Sequence, residues 1–212
     1  LAGLKTQAEL ALRLDDPHEV REALRQVLAA ARRGSTLASQ LLALARHEQG
    51  PHDHGLMQRL DLNRVVEQAT VPYVQFALRK RIDLGFEPAA GTLPVAGEPV
   101  SLGERVGNLI DNALRHTPEG GRITAATHRE GNEVVVSVED SGPGVPAADR
   151  VRVFERFWRG PEVQGEGSGL GLSIVQEIAR VHGGEAGCEA PSGGQGARFV
   201  IRLPQLADDS GH

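Results

Sequence analysis

The sequence predicts an α+β fold: a two-layer sandwich in which a mixed sheet is covered by helices on one face, preceded by an α-helical hairpin. Three observations carry this expectation. Apolar residues recur with the helical period over 62–81, 100–116 and 170–181. Strand-like patterning marks 122–128, 133–140 and 199–203. Helices and strands do not alternate strictly along the chain, which favours helices gathered on one face over a doubly wound parallel sheet.

Residues 1–48 read as the hairpin. The first helix covers 1–14, where Asp15-Asp16-Pro17 breaks it and offers a cap to the second. The second helix carries Val20, Leu24, Val27, Ala31, Gly34, Ala38, Leu41 and Ala45 in alternating steps of four and three, the seam that packs helices into bundles. Leu28, Leu37, Leu42 and Leu44 widen the apolar face beyond what two helices can bury. A homodimer through residues 1–48 is expected; docking onto the rest of the chain is the alternative. Residues 49–56 form a polar linker, 57–204 the main domain and 205–212 a tail. His47, His52 and His54 lie in or beside that linker without acidic or cysteine co-ligands, so they read as solvated rather than metal-binding.

Within the main domain a helix over 62–81 leads to short strands near 84–87 and 93–96. The 100–116 helix follows, then a hairpin turning at Glu130-Gly131-Asn132. Residues 141–169 are rich in glycine and carry little periodicity. A helix over 170–181 and a strand over 199–203 close the domain.

Composition narrows the function. The 23 basic and 28 acidic residues give a net charge of -5 without a basic cluster, so no nucleic-acid partner is expected. Cys188 is the only cysteine, which excludes an intramolecular disulfide and a thiolate zinc cluster. No apolar run approaches the ~18 residues of a membrane span, so the chain as it stands should be soluble. It opens without methionine inside a helical pattern, which suggests a piece of a longer protein.

Three segments carry chemistry. On the 100–116 helix, Val106, Leu109, Ile110, Ala113 and Leu114 form a core stripe, and Asn108, Asn112 and Arg115 a polar one beside it. Amide oxygens suit magnesium and a guanidinium suits phosphate, but a solvated polar face gives the same pattern. In the strand ending at Glu139-Asp140-Ser141-Gly142-Pro143-Gly144, Asp140 shares the inward parity of Val134, Val136 and Val138. A buried carboxylate needs a donor, which an adenine amino group or a capped turn would supply. Gly165-Glu166-Gly167-Ser168-Gly169-Leu170-Gly171-Leu172 runs into a helix start, where free amides favour phosphate; a linker is the alternative. It is neither a Walker loop nor the dinucleotide fingerprint. Between the last two segments, Phe154, Phe157 and Trp158 read as a hydrophobic anchor inside a mobile loop.

Taken in order, Asn108-x-x-x-Asn112, Asp140-x-Gly142-x-Gly144, Phe154-x-x-Phe157 and Gly167-x-Gly169-x-Gly171 resemble the boxes of histidine-kinase catalytic domains, of the larger group that includes DNA gyrase and mismatch-repair ATPases. The resemblance covers nearly the whole chain, with 1–50 similar to the dimerisation and phosphoacceptor hairpin of membrane sensor kinases. It implies ATP and Mg2+ as ligands. Asn112 would ligate the magnesium, with Asn108 and Arg115 on the phosphates and His116 flanking the nucleotide. Asp140 would bind the adenine amino group in a pocket shaped by Gly142 and Gly144. Phe154 and Phe157 would anchor a lid, and Gly167, Ser168, Gly169, Leu170, Gly171 and Leu172 would bring backbone amides to the phosphates. The resemblance further implies a response-regulator receiver domain as partner, and a cytoplasmic location below an upstream membrane anchor.

Two departures stand out. The family's last box reads Gly-Thr-x-Phe; Gly196-Ala197-Arg198-Phe199 lacks the hydroxyl. The family's His-Glu-x-x-x-Pro phosphoacceptor box would fall just before Leu1, and none of the eight histidines present sits in such a context. Autophosphorylation of this chain is therefore not expected. In the related ATPases a glutamate at the first position of the Asn box activates water; Asn108 cannot act as that base, and Glu104 is the nearest substitute. Rival readings are a non-catalytic dimeric signalling scaffold and a serine kinase of the anti-sigma type.

Overall fold

The computed structural model describes Asp16, residues 18–20, 23 and 27, and residues 57–160 and 169–207. The chain divides into two compact units, Leu1–His52 and Asp53–His212, a boundary inside the expected linker. In the first unit Asp16 accepts the His18 amide on Oδ1 at 2.8 Å and the Val20 amide on its carbonyl at 2.9 Å. Asp16 thus caps the following helix. The four-three seam as a whole lies outside the described residues.

The second unit is the α+β sandwich that the sequence predicts. Its elements are β1 (Gln58–Asp61), α1 (Leu62–Thr70), α2 (Val74–Arg79), β2 (Asp83–Glu87), β3 (Pro94–Gly97), α3 (Pro99–His116), β4 (Arg122–Glu130), β5 (Glu133–Asp140), α4 (Gly171–Val181), β6 (Glu185–Glu189) and β7 (Ala197–Pro204). Five strands form a mixed sheet in the order β2-β4-β5-β7-β6, with β2 parallel to β4 and the other pairs antiparallel. A small antiparallel pair, β1-β3, stands apart.

Register sets the two faces. Leu84 pairs with Ile123, Ala125 with Val138, Val136 with Ile201 and Val138 with Phe199, and these residues pack under α1, α3 and α4. Among the described residues no helix covers the opposite face, yet Val135 and Val200 on it are buried. A lattice of long charged side chains runs over them. Glu139 meets Arg198 at 3.2 Å, Arg198 meets Glu189 at 3.5 Å, and Arg202 bridges Glu189 at 2.5 Å and Glu130 at 3.2 Å. Arg198 and Arg202 flank Val200 along β7, and Arg202 pairs in register with Val135.

The sequence missed two strands and one break. β1 and β6 have weak strand composition, Gln-Arg-Leu-Asp and Glu-Ala-Gly-Cys-Glu, and exist because β3 and β7 supply ladder partners. The helix expected over 62–81 is cut into α1, a 3-10 turn at Val71–Tyr73 and α2. Pro72 explains this, since it lacks an amide hydrogen and its ring crowds the carbonyl four residues back. The run ends early as well: Arg81 takes a left-handed φ of 53°, and the Ile82 amide turns back to the Ala77 carbonyl.

One buried tie joins the ends of two helices. The Glu98 amide donates to His182 Nε2 at 3.1 Å, and Nδ1 lies 2.7 Å from the Ile178 carbonyl. Because Nε2 must accept, the proton belongs on Nδ1, and burial holds the imidazole pKa below its ordinary value. Glu98 also caps α3, its carboxylate accepting the Val100 and Ser101 amides ahead of Pro99 at the first turn.

Two glycines of α3 have opposite surroundings. A β-carbon at Gly103 meets nothing within 4 Å, whereas one at Gly107 lies 3.0 Å from the Tyr73 hydroxyl. Gly103→Ala should raise stability by about 0.5–1 kcal/mol through helix propensity. Gly107→Ala should show no such gain until Tyr73→Phe removes the hydroxyl. Urea midpoints of the wild type, the three single variants and the Gly107→Ala/Tyr73→Phe double variant check this, and an equal gain at both glycines would refute the contact.

Candidate functional site

The site is built on one flank of α3 and on the end of β5. The core stripe of α3 is as expected: Leu102, Val106, Leu109, Ile110, Ala113 and Leu114 are all buried. Beside it, Asn108, Asn112 and His116 are half-buried and Arg115 is exposed. Arg115 forms an i,i+4 ion pair with Asp111 at 2.9 Å. A half-buried amide oxygen at Asn112 offers one hard donor. No cluster of three metal-ligating side chains occurs among the described residues. That donor set fits a magnesium ion that arrives with phosphate oxygens and keeps water ligands.

Sequence reasoning overlooked Arg105. It lies three residues before Asn108 on the same flank and is 6% exposed. Its guanidinium donates to the Ser101 carbonyl at 3.4 Å and contacts the Glu104 carboxylate closely. Glu104 is therefore occupied by a cation as well as being one turn, about 5.4 Å, from the Asn108 position. Only the i−3 spacing from Asn108 could have flagged Arg105.

Asp140 is 4% exposed at the end of β5, between Ile123 of β4 and Ala197 of β7. Burial pushes its carboxyl above the ordinary range, and the amides of Gly142 and Ala197 pull partly against that. Gly142 N donates to Oδ1 at 2.8 Å. A carboxylate has about four acceptor sites, so two amides leave capacity for another donor. Ala197 lacks the hydroxyl but contributes its backbone amide here instead.

The Asp140 loop is held by backbone packed on backbone. A β-carbon at Gly142 would come within 2.8 Å of the His116 carbonyl, which joins this loop to the end of α3. One at Gly144 (φ +82°) would come within 2.5 Å of the Gly196 carbonyl, and one at Gly196 (φ +104°) within 1.7 Å of the Asp140 carbonyl. Asn112 is one turn before His116 on the same flank. The buried acceptor and the amide stripe therefore converge at the C-terminal end of α3.

The two phenylalanines of the expected anchor part company. Phe154 is buried edge-on against Phe199, with ring centroids 6.3 Å apart at 77°. Phe157 is 70% exposed and adopts φ 64°, so as an anchor it is a correction: Trp158, half-buried against the core, takes that place. Phe157 instead gives its amide to the Gly169 carbonyl at 2.9 Å, at a crossing where a β-carbon on Gly169 would strike the Phe157 backbone. Gly167 and Ser168 lie outside the described residues. Two short 3-10 turns, Ala147–Asp149 and Arg152–Phe154, interrupt the segment expected to be irregular.

Gly171 opens α4 one residue after Leu170, and no side chain caps this start. The first amides of Gly171 and Leu172 are thus placed as a helix N-terminus places them for an anion. A separate cavity of about 530 Å³ borders Asp140 from the other direction, lined by Asp83, Arg122, Thr124 and Glu139 of the helix-free face. It includes no residue of α3 or α4, so it is not where the amide stripe and the buried carboxylate meet.

Residues 97–207 match the family described as histidine kinase-, DNA gyrase B-, and HSP90-like ATPase. The chain is 36% identical over 214 residues to the sensor protein kinase PmrB of Pseudomonas aeruginosa, covering 99% of this chain and 44% of that protein. It thus spans less than half the length of the curated relatives it matches. Full-length ShkA in complex with AMPPNP is a similar solved structure, with a TM-score of 0.72 and 26% identity over 89% of this chain and 39% of that one. The mycobacterial sensor histidine kinase MprB gives a TM-score of 0.60 and 29% identity over 70% of this chain and 97% of its own.

Asp140 separates stability from binding. Its carboxyl pKa is raised by folding, so the charged form subtracts stability: the full benefit is present below the unfolded pKa and is lost as pH rises through the folded one. Asp140→Asn should leave the thermal midpoint at pH 7 equal or higher, a gap that closes on acidification, while ADP affinity falls by on the order of 1–3 kcal/mol. Calorimetry showing unchanged affinity would overturn the expectation that Asp140 receives an adenine amino group.

Proposed function

The chain belongs to the histidine kinase-, DNA gyrase B-, and HSP90-like ATPase family, and on that premise we propose that it is the part of a sensor histidine kinase that loads ATP and donates its γ-phosphoryl group. The observation that carries this reading is the convergence of Asp140, a buried acceptor, with the amide flank of α3. An adenine amino group donating to Asp140 leaves the phosphates to run along α3 past Asn112 and Asn108. Gly171 and Leu172, at the start of α4, then offer amides to the same phosphates.

Magnesium held by Asn112 and the phosphates would neutralise charge on the transferring group. The protein's own contribution is positioning. The Asn112 oxygen holds the metal-bearing side, Asn108 and Arg115 the phosphate side, and Asp140 the base. An acceptor imidazole nitrogen attacks the γ-phosphorus as the bond to the β-phosphate oxygen breaks, and ADP leaves. Hydrolysis is disfavoured, because Asn108 is no general base and Glu104 is engaged by Arg105. This separates the kinase reading from the ATPase members of the family. PmrB, named a sensor protein kinase, supports it from the side of sequence. A scaffold that does not use nucleotide would have no need of an acceptor as buried as Asp140.

Incubation with γ-labelled ATP and magnesium tests the proposal. The chain should bind nucleotide, release phosphate slowly and acquire no acid-labile label, and it should label a separately supplied phosphoacceptor hairpin. Asn112→Ala should slow that transfer by on the order of 10²-fold. Label on the chain itself would overturn the acceptor assignment, and His18, which precedes Glu19 at a helix start, is the first position to map. Rapid phosphate release abolished by Glu104→Gln would make the chain an ATPase.

The proposed partners are a second copy of the chain, through residues 1–48, and a response-regulator receiver domain. The four-three seam supports the first. Leu24→Glu with Leu41→Glu should convert dimers to monomers in sedimentation. A dimer that survives deletion of residues 1–50 would show the seam to be misread.

A further inference from the structure

We infer that α2, with the 3-10 turn before it, is a docking surface for an anionic lipid headgroup layer. A helix on a soluble domain normally turns its apolar stripe inward. Here only Ala77 of α2 is buried, and Tyr73 is half-buried. Val71 is 64% exposed, Val74 37%, Phe76 44% and Leu78 61%. Val71, Val74 and Leu78 follow the three-four helical spacing, so they make one ridge rather than scattered exposures.

The charges beside this ridge are of one sign. No acidic residue occurs from Gln68 to Ile82, and Arg79, Lys80 and Arg81 follow one another at the end of the helix. The Arg79 guanidinium lies 5.5 Å over the Phe76 ring. Lys80 donates to the Leu114 carbonyl at 2.6 Å. Acids stand at the margins, and Glu104 and Asp111 of α3, about one turn to either side of Gly107, are paired with Arg105 and Arg115. Glu119 pairs with Arg81 at 2.9 Å, Asp83 pairs with Arg122 at 3.4 Å, and Glu67 lies a turn earlier on α1, three residues after Arg64. The strip is thus locally cationic on a chain of net charge -5.

Large aliphatic and aromatic groups beside a Lys/Arg run are the pattern of a helix that lies in a membrane interface, apolar groups among acyl chains and cations among phosphates. An acidic protein would complement the cations alone and leave the exposed Val71, Val74 and Leu78 uncovered. Tyr73 packs at Gly107, about 100° around α3 from Asn108. The inference does not depend on what the site binds.

Co-sedimentation of the whole chain with vesicles provides the test. Binding is expected to vesicles of phosphatidylcholine mixed with phosphatidylglycerol, not to phosphatidylcholine alone. It should weaken as salt shortens the screening length from about 30 Å to about 8 Å. Arg79→Gln and Arg81→Gln should each lower the partition coefficient about fivefold. Val71→Gln with Leu78→Gln should lower it about tenfold. ADP affinity and the thermal midpoint should stay unchanged in all of them, which separates loss of docking from loss of fold. Absence of binding to the anionic vesicles would overturn the inference. So would displacement by poly-glutamate combined with wild-type binding by the Val71/Leu78 variant, because that result assigns the strip to an acidic protein.

Discussion

A carboxylate buried at the end of the central strand organises the site. Asp140 terminates β5, which is hydrogen-bonded on both sides, so its position is set by two ladders at once. Holding a charge there requires donors, and the amides of Gly142 and Ala197 are the ones that burial permits. Those amides can approach only because the chain folds back on itself without side chains in between. The Gly144–Gly196 and Gly196–Asp140 crossings leave no room for a β-carbon. The glycine of the last box is thus required by the acid of an earlier one, although 56 positions separate Asp140 from Gly196.

The same loop reaches α3 through the His116 carbonyl, and this links the Asp140 end of the site to the flank of Asn108 and Asn112. α3 serves both ends because its two stripes are unequal. The core stripe is nailed to the sheet by Val106, Leu109, Ile110 and Ala113, which leaves the flank of Asn108 and Asn112 rigid but half-open. Arg105 marks where that flank meets the core. Its pairing with Glu104 makes a buried cation tolerable, and in doing so occupies the carboxylate one turn before Asn108.

The helix-free face of the sheet shows how a two-layer sandwich manages without a third layer. Arg198 bridges Glu139 of β5 and Glu189 of β6, and Arg202 bridges Glu189 and, across β5, Glu130 of β4, on the face that carries Val135 and Val200. Glu139 takes part, with Ser192 and Arg198 holding its carboxyl below the ordinary range against the opposing effect of burial. This arrangement covers the back of β5, the strand whose end carries Asp140. α2 follows the opposite rule and leaves its apolar ridge bare, so the two exposed regions of the unit differ in kind.

The sequence by itself determined the fold class, the order of the strongly periodic elements and the four boxes, because each rests on local periodicity or on residue types in short spacing. α3, α4, β4, β5 and β7 emerged within a residue or two for that reason, and the parity of Asp140 was legible from Val134, Val136 and Val138. Only the tertiary structure decided what depends on partners distant in the chain. β1 and β6 are strands through pairing, not through propensity. Phe154 and Phe157 have the same chemistry and lie three residues apart, yet one meets Phe199 while the other turns outward through a positive φ. Arg105 sits in the polar stripe by spacing, but its burial and its hold on Glu104 follow from how neighbouring elements close over α3. The physical reason is common to all of these: local patterning states which side of an element is apolar, and only the assembled layers state what covers it.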